Sequence, residues 1–181
     1  MLETERLRLR RPTLDDTENV LELVSDPLVM EFIDEPTRDP AEVREALERW
    51  LARWRADGFG HFFVERRDDG AFVGRTGLLV WDMRTWQTST FAEVGGHGQL
   101  ELGWMFARAH WGHGYATESA RAVRDWAFAQ GAGSLISLIH PDNVRSQRVA
   151  EKLGAVPTET LVVEEKPAVV WRHPPAHEPA R

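Results

Sequence analysis

The residues best suited to chemistry lie in a short glycine-containing loop between a strand pattern and a helix pattern. The strand pattern LELGWMF leads through ARAH into WGHGYA, and a helical pattern follows directly. Gly112 and Gly114 have no side chains, so backbone N–H groups can approach a ligand closely, and the helix directs its positive dipole end at the same place. This order predicts a phosphate or pyrophosphate site, while a tight turn without a ligand remains the alternative.

Two other nucleotide-binding motifs are absent from the sequence. Gly114 is followed by Tyr115, Ala116, Thr117 and Glu118, so the third glycine of the dinucleotide pattern G-x-G-x-x-G is missing. The G-K-[ST] sequence of nucleotide triphosphate loops is missing as well. A nucleotide-binding regulatory domain is therefore a poorly supported interpretation.

Glu101 is the candidate general base. It lies between Leu100 and Leu102 in the apolar strand, near the point where the chain turns into the glycine loop. A partly buried carboxylate there would have a raised pKa and could accept a proton from an amine, directly or through water. A solvent-facing glutamate, or one held by an arginine, is the alternative.

Asn143 and Ser146 form a second polar pair. They lie three residues apart at the start of a predicted helix and therefore share one face. Asn is also a preferred helix cap, so capping alone would explain Asn143. The histidines follow no zinc-ligand spacing, and no metal site is expected.

The loop resembles the pyrophosphate loop of the GNAT superfamily of acyl-CoA-dependent N-acetyltransferases, written [QR]-x-x-G-x-[GA]. Gly114 and Ala116 match its small positions, whereas Trp111 stands in place of Gln or Arg. Residues 111–118 match the form W-G-x-G-Y-A-[ST]-E of ribosomal-protein N-terminal acetyltransferases, the Rim type, at every fixed position. The further blocks that resemble this type are TERLRLR, FVGRTGL, LELGW and PDNVRSQRVAEKLGA.

The resemblance implies that acetyl-CoA is the co-substrate and that a strand splayed from its neighbour offers backbone groups to the pantetheine arm. Gly103 would ease a β-bulge at that place. The residues expected on this basis to bind CoA are Trp104, Met105, Phe106, Arg108, Trp111, Gly112, His113, Gly114, Tyr115, Ala116, Thr117, Asn143, Ser146 and Arg148.

The resemblance also assigns catalytic roles. Glu101 is implied as the base, and Ser146, expected near the sulfur, is the leading proton donor to the thiolate. The tyrosine that many of these enzymes use as the acid is missing, because the only tyrosine is Tyr115 within the loop. Water or His140 is the alternative donor. The chain contains no cysteine to carry an acyl group, which favours direct transfer.

The implied acceptor is a primary amine, in the best-known case the α-amine of a protein. Small amines, amino-acid derivatives and antibiotics are alternatives that relatives use. From another functional class, a non-catalytic acyl-CoA sensor would keep the glycine loop but need no proton acceptor. A homodimer is left open.

Composition limits the remaining possibilities. The chain has 181 residues, 42% of them hydrophobic, which suits a single domain, assigned to residues 1–172, with the proline-rich residues 173–181 as a disordered tail. Its formal charge of −7 disfavours nucleic acid as a partner. No apolar run approaches the roughly 20 residues of a membrane span, and the charged N-terminus is unlike a signal peptide. A cytoplasmic protein without a membrane partner is expected.

Periodicity and capping residues predict the elements that position these groups. They indicate an α/β (α+β) fold, the GNAT fold, with a mixed, mostly antiparallel central sheet flanked by helices. Residues 81–98 are too irregular to assign and are expected to be a functional loop or disordered. The predicted strands cover residues 5–10, 62–67, 71–80, 100–106, 135–139, 161–163 and 168–171. The predicted helices follow Thr13, Asp39, Gly114 and Asn143.

Overall fold

The computed structural model describes residues 1–175. Its helices are α1 (Thr17–Val24), α2 (Pro27–Met30), α3 (Pro40–Asp57), α4 (Phe91–Val94), α5 (Tyr115–Ala129) and α6 (Val144–Lys152). Its strands are β1 (Leu2–Glu3), β2 (Leu7–Arg10), β3 (His61–Arg66), β4 (Phe72–Asp82), β5 (Gln87–Ser89), β6 (Gly98–Phe106), β7 (Ile136–Ile139), β8 (Val156–Val163) and β9 (Lys166–Arg172).

The strands form one mixed sheet. Their order is β1-β2-β3-β4-β6-β7-β9-β8, and β5 adds to the end of β4. The pair β6–β7 is parallel, and the other described pairs are antiparallel. The expected mainly antiparallel sheet flanked by helices is confirmed.

Helices cover both faces of the sheet. Successive strand residues point to opposite faces, so Phe62 and Val64 join the apolar cluster beneath α5, while Phe63 contacts Val43 and Leu47 of α3. The two faces therefore have separate cores, one under α5 and one under α1 and α3. Side chains from β6 reach both of them.

Strands β6 and β7 separate immediately after they meet. Their only paired position is Glu101 with Ile136. At the next position the Ser137 hydroxyl donates to the Leu102 carbonyl over 2.5 Å, and beyond it the strands diverge. The register between β4 and β6 runs without a shift through Gly103, so the bulge expected there is wrong. The opening arises because parallel pairing stops, and β6 itself stays regular.

The capping residues place the helices as predicted. The Asp39 side chain accepts from the Ala41 N–H, Pro40 begins α3, and Gly58 ends it with φ of 77°. Thr13 and Asp16 form a capping box ahead of α1. The predicted hairpin of β3 and β4 is also confirmed.

The expectation for residues 81–98 is wrong in part. Strand β4 continues to Asp82, and β5 pairs with it. Helix α4 follows, held by a capping box of Thr90 and Glu93. Sequence periodicity misses these elements because each is only three or four residues long.

The expected tail begins too early. His173 is 3% exposed, its backbone N–H donates to the Leu135 carbonyl over 2.9 Å, and its Nε2 lies 2.8 Å from the Ser137 hydroxyl. His173 is therefore part of the folded chain. Residues 176–181, the rest of the expected tail, lie outside the described residues.

Candidate functional site

A cavity of about 330 Å³ lies where β6 and β7 diverge, between the glycine loop and α6. The predicted binding residues that line it are Trp104, Met105, Phe106, Trp111, Gly112, Gly114, Tyr115, Ala116, Thr117, Asn143, Ser146 and Arg148. The predicted residues Glu101, Arg108 and His113 are not part of this wall. The fold thus brings together residues 104–117 and residues 143–148, two segments that are far apart in the chain.

The glycine loop presents unpaired donors at the start of α5. Gly112 and Gly114 have φ of 79° and 80°, the left-handed region that glycine adopts without strain. Within residues 1–175, the backbone N–H groups of residues 112–117 have no acceptor. Adjacent free donors at a helix N-terminus are suited to an anion, and they fit the diphosphate of CoA.

Trp111 has a structural contact that its family pattern does not predict. Its indole Nε1 donates to the Phe106 carbonyl over 2.7 Å, which holds the loop against the end of β6. The Arg145 guanidinium lies 4.4 Å from the centre of the Trp111 ring. The Phe106 carbonyl thus already accepts one hydrogen bond, and its pairing with the pantetheine arm stays a prediction.

Glu118, the last residue of the loop motif, joins the loop to the start of the chain. It accepts hydrogen bonds from the Thr4 hydroxyl over 2.6 Å, the Arg6 backbone N–H over 3.0 Å and Arg6 Nε over 2.7 Å. Arg6 also donates to the His113 carbonyl over 3.0 Å. Two of the sequence blocks that resemble the Rim type therefore contact each other directly.

The positive charges of the cavity come from α6. Arg145, Arg148 and Lys152 line it, whereas Arg108 lies outside and pairs with Asp26 over 2.9 Å. Lys152 was not predicted. The spacing of three and four residues along α6 places all three cations on one face and is the signal that could have found it.

Asn143 and Ser146 lie on the wall formed by the start of α6. The Asn143 side chain accepts from the Ser146 backbone N–H over 3.1 Å, so Asn143 is a helix cap that also lines the cavity. The Ser146 hydroxyl has no hydrogen-bond partner among the described residues. It is thus free to interact with a group in the cavity.

Segment 27–34 covers the cavity on the side opposite α6. The sequence did not predict it as part of the site. Leu28, Val29, Phe32 and Ile33 line the cavity. Glu31 pairs with Arg145 of α6 over 3.0 Å. The tertiary fold alone brings this segment over the gap between β6 and β7. Its local sequence pattern therefore could not show that it lines the cavity.

His140 does not line the cavity. Its ring stacks on Phe32 at 5.0 Å, and its Nδ1 lies 3.2 Å from the Asp142 backbone N–H. This contact holds segment 27–34 against the end of β7. His140 therefore stays a less direct candidate for proton donation than Ser146.

Glu101 projects to the face of the sheet covered by α1 and α3. Its side chain is 8% exposed, and Oε2 lies 3.4 Å from Trp81 Nε1. Burial raises the pKa of Glu101 to about 7, against weaker lowering by the hydrogen bond from Trp81 and the charge of Arg75. A carboxyl group with this pKa exchanges a proton readily near neutral pH.

No cluster of His, Cys, Asp and Glu within residues 1–175 could hold a metal ion. In the same part of the chain, no helix combines the length and apolarity needed to cross a bilayer.

The family model for acetyltransferase (GNAT) domains matches residues 6–156. Bacillus subtilis YkkB is 32% identical over 172 residues, which cover 94% of this chain and 93% of that protein. These matches extend over the strands, the glycine loop and α6.

Solved structures agree in fold. An acetyltransferase from Agrobacterium tumefaciens is 28% identical, with a TM-score of 0.76 and coverage of 95% of this chain and 92% of the other. A candidate ribosomal-protein-serine acetyltransferase from Vibrio cholerae is 20% identical, with a TM-score of 0.75 and coverage of 95% and 96%. The aminoglycoside acetyltransferase AAC(6′)-Ib with coenzyme A and kanamycin is 19% identical, with a TM-score of 0.72 and coverage of 92% and 94%. Together with the anion site and the divergent strands, these matches show that the chain belongs to the GNAT acetyltransferases, acyltransferase enzymes that use acetyl-CoA.

Proposed function

We propose that this protein transfers the acetyl group of acetyl-CoA directly to the α-amine of a protein N-terminus, as the Rim type does. The observation that supports this most strongly is the placement of Glu101. It occupies the one position where β6 and β7 pair, at the apex of the opening that leads into the cavity. Glu101 does not line the cavity, but its position where the strands begin to separate supports a role as the proton acceptor beside it.

The cavity residues are suited to bind the co-substrate. The free N–H groups of residues 112–117 hold the diphosphate, and Arg148 and Lys152 add positive charge beside it. The apolar walls from Met105 and Val29 exclude water from the arm that leads to the thioester. Acetyl-CoA brings the acetyl group as a thioester, which is open to attack by an amine.

The chain supplies groups that move protons in this reaction. Glu101 accepts the proton that the amine nitrogen loses when it forms the amide bond. Its pKa of about 7 lets it be ionised in a useful fraction of molecules at neutral pH. Ser146 donates a proton to the sulfur, which leaves as the thiol of CoA. The Ser146 oxygen then takes up a proton from water, and Glu101 releases the amine's proton to water.

The α-amine of a protein is favoured by the loop sequence. Trp111 to Glu118 follow the Rim-type form at each fixed position, and both Trp111 and Glu118 have specific contacts in the fold. The likeness to the Vibrio cholerae structure supports the same acceptor class. A small-molecule amine is the second candidate, supported by the likeness to AAC(6′)-Ib.

A panel of acceptors tests this proposal. Purified protein with acetyl-CoA is given peptides with free α-amines, the same peptides with blocked α-amines and a lysine side chain, and aminoglycosides, while released CoA thiol is measured. Thiol release with free α-amines alone is the expected result. Release only with aminoglycosides would favour the second candidate, and binding of acetyl-CoA without release with any amine would favour the acyl-CoA sensor.

A further inference from the structure

Two arginines on the α3 face of the sheet form no ion pair within the described residues. Arg75 of β4 contacts the His61 ring, with Nη1 2.9 Å from Nε2, and lies 5.0 Å from the centre of the Trp50 ring. Its Nε is buried without a hydrogen-bond partner. Arg53 of α3 donates to the Thr88 hydroxyl over 2.6 Å.

His61 does not compensate these charges. It is 3% exposed, and burial, together with the charges of Arg75 and Arg53, holds its pKa well below the ordinary value. Its ring is therefore neutral. The acids that act on Arg53, at longer range, are Asp57, Glu93 and Glu164.

Keeping Arg75 charged in this environment is costly. Burial lowers its pKa to about 10, although the charge of Glu101 opposes this. A guanidinium that is partly removed from water without a carboxylate partner destabilises the folded chain. Such a group is typical of a site whose counter-ion arrives with a ligand.

The sheet register places this guanidinium near Glu101. His61, Gly77 and Gly103 form one row across β3, β4 and β6, and Arg75 reaches into this row through its contact with His61. Glu101 lies in the next row on the same face, about 7 Å further along the strand.

Gly103 lies between these groups, is partly exposed and has no side chain. The three atoms nearest to a Cβ added there all belong to the Glu101 carboxyl group, with its oxygens at 3.4 and 3.6 Å. No other side chain lies as close to this point of the sheet as that of Glu101.

We propose that the amine acceptor carries a carboxylate a few bonds from its amine, and that Arg75, supported by Arg53, binds this carboxylate. The inference rests on the proposed acetyl transfer to an amine and narrows the acceptor to amines with an anionic neighbour. Arginine suits the task because its planar donors match a carboxylate in two parallel hydrogen bonds. Binding there leaves the amine facing Glu101.

An amine with a nearby carboxylate can belong to two kinds of acceptor, and matched pairs of compounds distinguish them. One is a free amino acid or a related small amino acid, compared with an alkylamine of equal length. The other is a protein N-terminus with an acidic side chain, represented by peptides with Asp or Glu in the first residues and by the same peptides with Asn or Gln. In each pair only the carboxylate differs.

The test measures kcat/KM for both members of each pair with wild type, Arg75→Met and Arg75→Lys. Wild type is expected to favour the carboxylate member of one pair by about 10-fold or more, the usual scale of a charge-assisted hydrogen bond. Arg75→Met brings the ratio of the two kcat/KM values close to one, while Arg75→Lys restores part of the preference. Because the charge of Arg75 also acts on Glu101, this ratio is compared rather than either rate alone. Arg55→Met, at an exposed arginine of α3, is the matched control and keeps the preference.

Calorimetry separates this inference from the proposed function. The affinity of the carboxylate member is measured for folded wild type and Arg75→Met without acetyl-CoA, and loss of binding in the variant supports the anion site even if no thiol is released. Equal affinity in both proteins overturns it. The inference is also overturned if Arg75→Met lowers the rate equally for both members of a pair and shifts the acidic limb of the pH profile. Arg75 would then act only by changing the pKa of Glu101.

Discussion

Glu101 is buried at the apex of the strand opening and contacts the Trp81 indole, and no arginine in the described part of the chain forms a hydrogen bond with it. Its raised pKa is therefore a consequence of burial that Arg75 only moderates. Ser146 has a different environment, since its hydroxyl faces the cavity from the first turn of α6. Under the proposed acetyl transfer, Glu101 removes a proton from the amine and Ser146 supplies one to the sulfur.

Replacing Glu101 by Gln is expected to lower kcat/KM by roughly 10² or more, the usual scale for a positioned base. Wild-type rates fall as the pH drops below about 7, because the carboxylate of Glu101 becomes protonated. The variant lacks this acidic limb. Rates measured from pH 5 to 9 at saturating acetyl-CoA check this, with Glu159→Gln at an exposed glutamate as the control. A limb that persists at full rate would assign the base to another group.

Replacing Ser146 by Ala is expected to lower kcat by roughly 10² and to leave the Kd for CoA within a few fold. The backbone N–H of this residue still donates to Asn143, so the start of α6 keeps its cap. Single-turnover rates and CoA titration separate the two effects. A raised Kd with an unchanged kcat would show that the hydroxyl only binds the co-substrate, and water would then be the better donor.

At the scale of elements, the anion site is a product of backbone conformation. The left-handed glycines turn the chain so that the N–H groups before α5 point in one direction, and Trp111 and Glu118 hold the loop at both ends. Arg145 and Glu31 then connect α6 to segment 27–34 across the cavity. The side chains of the loop therefore matter mainly for how they fix the backbone.

Gly114→Val is expected to abolish measurable CoA binding while the protein stays folded. A branched side chain at φ of 80° is strained and would cover the free N–H groups. Gly131→Val is the matched control, because Gly131 has φ of 92° and open space around it but lies beyond the other end of α5. Both variants lose stability, and calorimetry should show that only Gly114→Val loses CoA. Unchanged affinity in folded Gly114→Val would refute the loop assignment.

Sequence signals predicted the elements with strong local rules and missed those that depend on tertiary placement. The cap at Asp39 and the stop at Gly58 gave α3 its bounds, and the loop motif located the anion site. Local patterns could not show that segment 27–34 covers the cavity, or that the Trp111 indole donates a hydrogen bond to the Phe106 carbonyl. Nor could they place Arg75 beside Glu101, since strand register decides that neighbourhood.

At the scale of the whole molecule, the point where β6 and β7 separate is held by residues from the end of the folded chain. The Ser137 hydroxyl has one hydrogen and donates it to Leu102, so His173 Nε2 must carry the hydrogen that completes the pair. His173 Nδ1 is buried and has no hydrogen-bond partner among residues 1–175. The C-terminal residues therefore help to fix the geometry at Glu101, although they lie outside the cavity.

Truncation after Arg172 is expected to destabilise the protein by about 1–3 kcal/mol relative to truncation after Pro175, because it leaves the buried Ser137 hydroxyl without His173. Thermal unfolding of the two truncated proteins measures the difference. Equal melting temperatures would show that His173 contributes little to stability.

His173 also makes stability depend on pH. Burial, with a smaller effect of the charge of Arg124, lowers its pKa to about 4, whereas the unfolded chain binds this proton below about 6.5. The stabilisation of the folded chain by the neutral His173 ring is fully present above pH 6.5 and is lost as the pH falls towards 4. Urea unfolding of wild type and His173→Gln across this range is expected to show a steeper loss for wild type. Parallel curves would contradict the assignment.

The contact between Glu118 and the first residues of the chain has a consequence for synthesis on the ribosome. Arg6 and Glu118 are separated by 112 positions. At translation rates of about 5–20 residues per second, the N-terminal segment waits about 6–22 s for its partner to be made. The nascent chain therefore cannot be stabilised by CoA during that time, and strands β1 and β2 depend on pairing with each other and with β3 until the glycine loop emerges.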